Sequence, residues 1–252
     1  MLRIAVCGIN GKMGQVLAGV IKKDENTELS FGVDVVADAY DNNVPVYSDI
    51  LQAGGNDADV IIDFSRPSAL KDNLEYAVKN KKPIVICTTG YSEEEKQMIN
   101  DAAKKTAVFF SANMSLGVNL QMKLLMSACA LYGGKADIEI IEKHHNKKAD
   151  APSGTALMLA DAINEACGGI YTYKYGRAPG EGKRKPNEIG IHAVRGGSIV
   201  GEHDVMFITD SEIVTISHQA QSKEVFADGA VAAAKYIAKK PAGFYNMSTM
   251  LG

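Results

Sequence analysis

Two clusters of residues in this sequence have the types and spacing to do chemistry. The first is Gly8-Ile9-Asn10-Gly11-Lys12-Met13-Gly14. Its glycines permit a tight turn and a close approach of backbone to a pyrophosphate. The helical pattern that follows, Gln15 to Lys23, offers free N–H groups and the positive end of a dipole. The spacing is GxxGxxG rather than GxGxxG, so the motif alone also reads as an ordinary glycine-rich turn between a strand and a helix. Asp34, twenty positions past Gly14 at the end of the next strand-like run, is the acid that a dinucleotide site uses for ribose hydroxyls. Together the two features predict such a site. Val35 and Val36 follow where an arginine would welcome a 2′-phosphate, and Asp34 would repel that group. NADH is therefore the expected coenzyme, with Lys12 leaving NADPH open.

The second cluster is Glu142-Lys143-His144-His145-Asn146-Lys147-Lys148-Ala149-Asp150-Ala151-Pro152-Ser153-Gly154-Thr155. Two of the five histidines stand side by side at the end of a strand-like run, where neighbouring side chains face opposite ways. They lack the i, i+4 spacing of a helical zinc pair and have no cysteine nearby, so no metal is expected. A surface His-His pair among solvated lysines is the plain alternative. Ser153 reads as the N-cap of a helix, which by itself needs no ligand. Its first-turn N–H groups would also form an anion pocket. Lysines beside that pocket suit a carboxylate, and an imidazole beside a lysine suits proton transfer. A hydride carrier and an acid-bearing anion site in one chain point to a reductase of a small carboxylate.

These clusters need elements to position them. Short apolar runs at Ile4 to Cys7, Leu29 to Val35, Val60 to Phe64, Ile84 to Cys87 and Val108 to Phe110 read as strands buried on both faces. Helical patterns lie between them, the clearest opening with the capping box Ser92 and Glu95. That alternation predicts a Rossmann-like, doubly wound parallel sheet. After Asn113 the pattern changes: a helix over Leu116 to Leu131, a strand over Ile138 to Glu142, and a helix from near Ser153. Successive strand-like runs without an intervening helix then cover Ile189 to Ser217. This predicts a second α+β domain with an open mixed sheet. Ala227 to Lys239 is helical again, and Gly176 to Gly190 is the stretch with the most turn residues.

The 252 residues can bury a real core, and 46% are hydrophobic. A net charge of −3 lacks the basic excess of a nucleic-acid binder. The first residues form no signal peptide or membrane span, and Cys7, Cys87, Cys129 and Cys167 contain no CxxC, so buried reduced thiols in a soluble cytoplasmic protein are expected. Lys183-Arg184-Lys185 reads as a solvated run or part of a substrate-side loop.

At the second cluster the sequence closely resembles the dihydrodipicolinate reductase (4-hydroxy-tetrahydrodipicolinate reductase) family. Glu142 to Ala156 looks like that family's signature E-x-H-H-x-x-K-x-D-A-P-S-G-T-A. Further matches are Gly8 to Gly14, Asp63-Phe64-Ser65-Arg66-Pro67, Thr88-Thr89-Gly90, Ala112 to Asn119, His192 to Gly197 and Gly201-Glu202-His203, so the resemblance spans nearly the whole chain.

The resemblance implies a two-domain, NAD(P)H-dependent, homotetrameric enzyme of the diaminopimelate and lysine pathway. It reduces a cyclic dicarboxylate imine to tetrahydrodipicolinate. Residues 1–114 and 225–252 would form the dinucleotide-binding domain, and 115–224 the substrate-binding and tetramerisation domain. The family's acid maps to His144 with Lys148 as its partner, and its substrate contacts map to His145, Gly154 and Thr155. Its cofactor contacts map to Gly8, Ile9, Asn10, Gly11, Lys12, Met13 and Asp34, with nicotinamide-side loops at Cys87-Thr88-Thr89 and Ser111-Ala112-Asn113-Met114. Cys87 stands where glycine is usual and Met114 where phenylalanine is common; a buried strand-end Cys87 reads as packing rather than as a nucleophile. Two rivals leave the His-Lys-Ser-Gly-Thr run without a job: another nicotinamide dehydrogenase of a small carboxylate, and a non-catalytic dinucleotide redox sensor.

Overall fold

The structure, a computed structural model, describes residues 1–54 and 57–252. The chain divides into two compact units, Met1–Leu116 with Lys223–Gly252, and Gly117–Ser222. The first opens with β1 (Leu2–Cys7), α1 (Lys12–Lys23), β2 (Thr27–Val33), β3 (Val46–Tyr47), β4 (Val60–Asp63), α2 (Leu70–Lys79), β5 (Ile84–Ile86), α3 (Glu93–Ala103) and β6 (Ala107–Phe110). Helix α4 (Leu116–Tyr132) leads into β7 (Asp137–His144), α5 (Gly154–Ala166), β8 (Thr172–Tyr175), β9 (Glu188–Arg195), β10 (Gly201–Ile208) and β11 (Ile213–Ala220). The chain then returns to the first unit as α6 (Glu224–Ile237), β12 (Gly243–Tyr245) and α7 (Met247–Leu251).

The first unit's seven strands are all parallel and lie in the order β12-β6-β5-β4-β1-β2-β3. The strand order reverses between β1 and β4, the switch point at which open α/β sheets bind ligands. Successive residues of β1 feed opposite layers. Ile4 and Val6 pack with Leu17 and Ile21 of α1 and Ala230 and Ala234 of α6. Ala5 and Cys7 pack with Leu74 and Ala77 of α2 and Ile99 of α3. Burial on both sides is why these strands read as unbroken apolar runs. The Ser92 hydroxyl accepts from the Glu95 N–H at 3.2 Å while the Glu95 carboxylate accepts from the Ser92 N–H at 2.8 Å, the expected reciprocal cap on α3.

The second unit holds a five-stranded mixed sheet, β11-β10-β7-β9-β8, in which β7 is parallel to β9 and antiparallel to β10. Helices α4 and α5 cover one face: Val118, Leu125, Leu159 and Ile163 pack on Ile138, Ile140, Ile191, Val205 and Phe207. The opposite face carries charges in pairs. Glu139 meets Arg177 at 2.5 Å, His192 at 2.7 Å and Arg184 at 3.1 Å, while Lys143 meets Asp204 at 3.0 Å and Glu202 at 3.1 Å.

Several sequence expectations need correction. Helix α1 begins at Lys12, not Gln15, which places Gly14 inside its first turn, and β2 ends at Val33, leaving Asp34 just beyond the strand. Arg184 is not solvated. It binds Asp137 and Glu139 and donates to the Glu188 carbonyl, anchoring the stretch with the most turn residues; its neighbours Lys183 and Lys185 in the charged run are exposed. Cys7, Cys87 and Cys129 are buried free thiols, but Cys167 is half-buried. Among the described residues no helix is long and apolar enough to cross a membrane.

Candidate active site

The glycine loop is built by backbone contact. A Cβ on Gly14 would lie 2.1 Å from the Gly8 carbonyl oxygen, and one on Gly8, whose φ is +78°, would lie 2.6 Å from that of Phe64. Ile9 is fully buried beneath Gly32, so its side chain belongs to the core and its backbone to the loop. Asp34 fastens the loop to the end of β2, accepting from the Asn10 N–H and from the Val36 N–H, each at 3.1 Å. The Asn10 amide group in turn donates to the Val36 carbonyl at 2.6 Å. A cavity of about 340 Å³ opens here, lined by Gly8, Gly11, Asp34, Val35, Ser65 and Arg66 among others. A second of about 340 Å³ is lined by Gly11, Lys12, Met13, Cys87, Thr88 and Thr89, again with Ser65 and Arg66.

These residues fit a dinucleotide. Each Asp34 oxygen already accepts one hydrogen bond and keeps lone-pair capacity for ribose hydroxyls, and Gly8 and Gly14 let the loop backbone close on itself and on the end of β4, the tight turn that a pyrophosphate-binding loop needs. Arg66 is a residue that the sequence reading did not place here. It comes from the loop after β4, where the fully buried Asp63 accepts from the Ser65 N–H at 2.9 Å and its hydroxyl at 2.5 Å. Cys87 is 8% exposed and its thiol is pushed well up by burial, which makes it a packing residue. Ser111 to Met114 line neither cavity. The Ser111 hydroxyl donates to the Asn113 carbonyl at 3.0 Å, and Met114 is a core residue, with its carbonyl seated against Gly229.

The second cluster is organised around Glu142, on the central strand β7 and 0% exposed. Its carboxylate accepts both Arg195 Nη atoms at 2.7 Å and the Ser153 N–H at 2.9 Å, and it meets His144 Nδ1 at 2.6 Å. Burial alone would raise this carboxyl; the Arg195 fork, His144 and the Ser153 N–H together hold it below the usual carboxylate range. His144 is the last residue of β7 and is buried, while His145, one position on, is half-buried. Pinning Nδ1 to a carboxylate turns Nε2 away from Glu142. A Cβ on Gly201 would come within 3.0 Å of that Nε2, so the glycine keeps the space beside it clear.

His203, opposite Glu142 on β10, stands edge-on to the His144 ring with centroids 5.2 Å apart. Burial first, and then the neighbouring His144, lower it to about 4, so it stays neutral at physiological pH. Its Nε2 bonds the Ser153 hydroxyl at 2.9 Å, and that hydroxyl caps α5 by accepting from the Ala156 N–H at 3.1 Å. Gly154 is exposed and Thr155 half-buried at the helix N-terminus. Lys148 sits on the preceding loop, paired with Asp150 at 2.8 Å. No group of three or more metal-ligating side chains occurs among the described residues. The cluster can move a proton at His144 Nε2 and hold an anion at Lys148 and the α5 N-terminus.

Comparison with known proteins identifies the arrangement. The family description "Dihydrodipicolinate reductase, N-terminus" matches residues 2–114, and "Dihydrodipicolinate reductase, C-terminus" matches residues 117–251. The chain belongs to this family. A 4-hydroxy-tetrahydrodipicolinate reductase of Caldanaerobacter subterraneus is 49% identical over 100% of this chain and 98% of its own. One of Clostridium tetani is 47% identical over 100% and 97%. A dipicolinate-bound dihydrodipicolinate reductase from Paenisporosarcina superposes with a TM-score of 0.80 at 26% identity, over 98% of this chain and 97% of the other.

For a dihydrodipicolinate reductase family member, three residues to which the sequence reading assigns no role stand in the framework of its candidate site. Glu142, Arg195 and His203 all fall within motifs that carry the resemblance. Their joint contact is invisible locally, because Arg195 is 53 positions from Glu142 and His203 is 50 from Ser153.

Proposed function

We propose that this reductase carries out the NAD(P)H-dependent reduction of 4-hydroxy-tetrahydrodipicolinate, through its cyclic imine, to tetrahydrodipicolinate in the diaminopimelate and lysine pathway. The observation that carries the reading is the buried His144, held at Nδ1 by Glu142 at 2.6 Å next to the N-terminus of α5. NAD(P)H, when bound, supplies a hydride to the ring. His144 then gives the proton on Nε2 to the electron-rich enamine carbon, and the imidazole keeps its Nδ1 proton toward Glu142. Lys148 and the α5 N-terminus at Gly154 and Thr155 hold one carboxylate, and His145 contacts the substrate. A dicarboxylate ligand is consistent with the dipicolinate carried by the Paenisporosarcina relative. Mixing the protein, NADH and freshly made cyclic substrate should oxidise NADH rapidly; no oxidation with either coenzyme would end the reading.

Residues 1–114 with 225–252 serve as the dinucleotide-binding domain and 115–224 as the substrate-binding and tetramerisation domain. Gly8 to Met13 and Asp34 bind the phosphates and ribose, with the loops Cys87 to Thr89 and Ser111 to Met114 on the nicotinamide side. NADH is the preferred coenzyme, because Asp34 and Val35 share the cavity wall; Arg66 on the same wall tolerates NADPH. Asp34→Ala should weaken NADH more than NADPH, since it removes ribose hydrogen bonds but also a charge facing the phosphate. Steady-state kinetics with both coenzymes checks this, and a wild-type enzyme faster at low NADPH than at low NADH would overturn the preference.

The protein works as a cytoplasmic homotetramer joined through the helix-free face of the second sheet. Val194 and Ile213 on that face are 45% and 62% exposed, beside the half-buried Ile141, Met206 and Ile208. Apolar surface of this kind favours a second copy. Light scattering should give four chains; a stable monomer at working concentration would count against the assembly.

A further inference from the structure

We infer that Glu142 is a positioning residue for proton transfer: it holds the His144 proton on Nδ1 and so reserves Nε2 as the donor. The inference rests on the reading of His144 as the acid. Which ring nitrogen of a histidine is active is set by the hydrogen bond that the other makes. Glu142 makes that bond at 2.6 Å from full burial. Arg195 completes the device. Its two contacts at 2.7 Å keep Glu142 an anion, so the carboxylate orients the imidazole without itself taking the proton.

The proton balance is closed. The His144 Nε2–H bond breaks as a C–H bond forms on the enamine, whose electron pair supplies it. The imidazole left behind is neutral with its proton on Nδ1, facing Glu142, and solvent restores Nε2–H. The other ionisable groups around the ring are few. His203 on β10 stays neutral, Arg195 on β9 is spent on Glu142, and Lys148 is paired with Asp150 on the adjoining loop. His218 on β11 is held down by burial, and His145 follows directly in sequence. Glu142 is thus the one anion among the described residues seen to touch the ring.

A purely structural reading gives Glu142 only the task of anchoring Ser153 and Arg195. The pH dependence of kcat separates the two. In Glu142→Gln the alkaline limb should move to lower pH, because the anion that faces the imidazolium is lost. Rate should be partly recovered at acid pH, and Glu142→Asp should bring the limb back toward wild type. A loss that is equal at every pH would overturn the role. Should Glu142→Gln fail to fold, ¹⁵N NMR of histidine-labelled wild-type protein decides. Neutral His144 must carry its proton on Nδ1, and finding it on Nε2 overturns the inference. His144→Gln separates the two levels. If that variant keeps kcat, the acid assignment and this inference fall together. If it loses kcat while Glu142→Gln keeps the wild-type limb, only the role of Glu142 falls.

Discussion

Replacing His144 with glutamine should lower kcat by about 10²–10⁴, the usual worth of a general acid, while NADH affinity stays near wild type. The selectivity follows from where the groups lie. His144 belongs to the unit built from Gly117–Ser222, and both glycine-loop cavities are lined only by residues of the other unit. Glutamine keeps much of the volume but has no proton to give at neutral pH. Lys148→Ala should also lower kcat if, as proposed, its charge stabilises the reacting ring and holds a carboxylate. His145→Gln should act mainly through KM. The measurement is kcat and KM for the three variants, with coenzyme affinity measured separately by fluorescence titration. A His144→Gln enzyme with near-normal kcat, beside a His145→Gln enzyme that has lost it, would reverse the two roles.

The second large effect is on stability. Arg195→Met leaves the carboxylate of Glu142 buried without its cation. Removing one partner of a buried pair costs about 3–5 kcal/mol, and the lower part of that range applies because a fifth of the Arg195 side chain is exposed. The melting temperature should fall by roughly 6–12 °C at neutral pH, at about 2–4 °C per kcal/mol for a chain of this size. The pH dependence has a definite sign. The Glu142 carboxyl is held below its usual range in the folded state. Its contribution is therefore present above the ordinary glutamate value of about 4.3 and is lost as pH falls through the lower folded value. The gap between variant and wild type should narrow as the solution is acidified below about pH 4.3. Scanning calorimetry across pH checks both parts, and equal melting at pH 7 would show that the pair adds nothing net.

What could be read from the sequence follows from how local each signal is. The strands at Val60 and Ile84 announce themselves because both faces are buried and every side chain is apolar. The Ser92 cap is legible because its partner is three residues away. β3, β8 and β12 leave no such mark: they are edge strands of two, four and three residues with partly exposed side chains, so neither length nor alternation sets them apart. The site divides the same way. His144, Lys148, Ser153 and Gly154 lie in one run and could be seen together. Arg66 enters the cavity of Asp34 only because β4 lies beside β1, and Arg195 reaches Glu142 only because β9 lies beside β7. Such meetings are properties of strand order, and no spacing within the chain encodes them.

The return of the chain to its first unit orders events during synthesis. Ala227, Ala230, Val231, Ala233, Ala234 and Ile237 fill one side of the first sheet, and β12 completes its edge against β6. The first unit therefore cannot close its core until residues 223–252 have left the ribosome. Residues 117–222 contain their own sheet, helices and core, and are made earlier. The half translated first must wait, with α1 in place but the α6 part of that helical layer still missing, while the half inserted into it can fold. A chain truncated just after Ser222 would retain every side chain of the His144 cluster and lose the α6 layer on which the other half is packed.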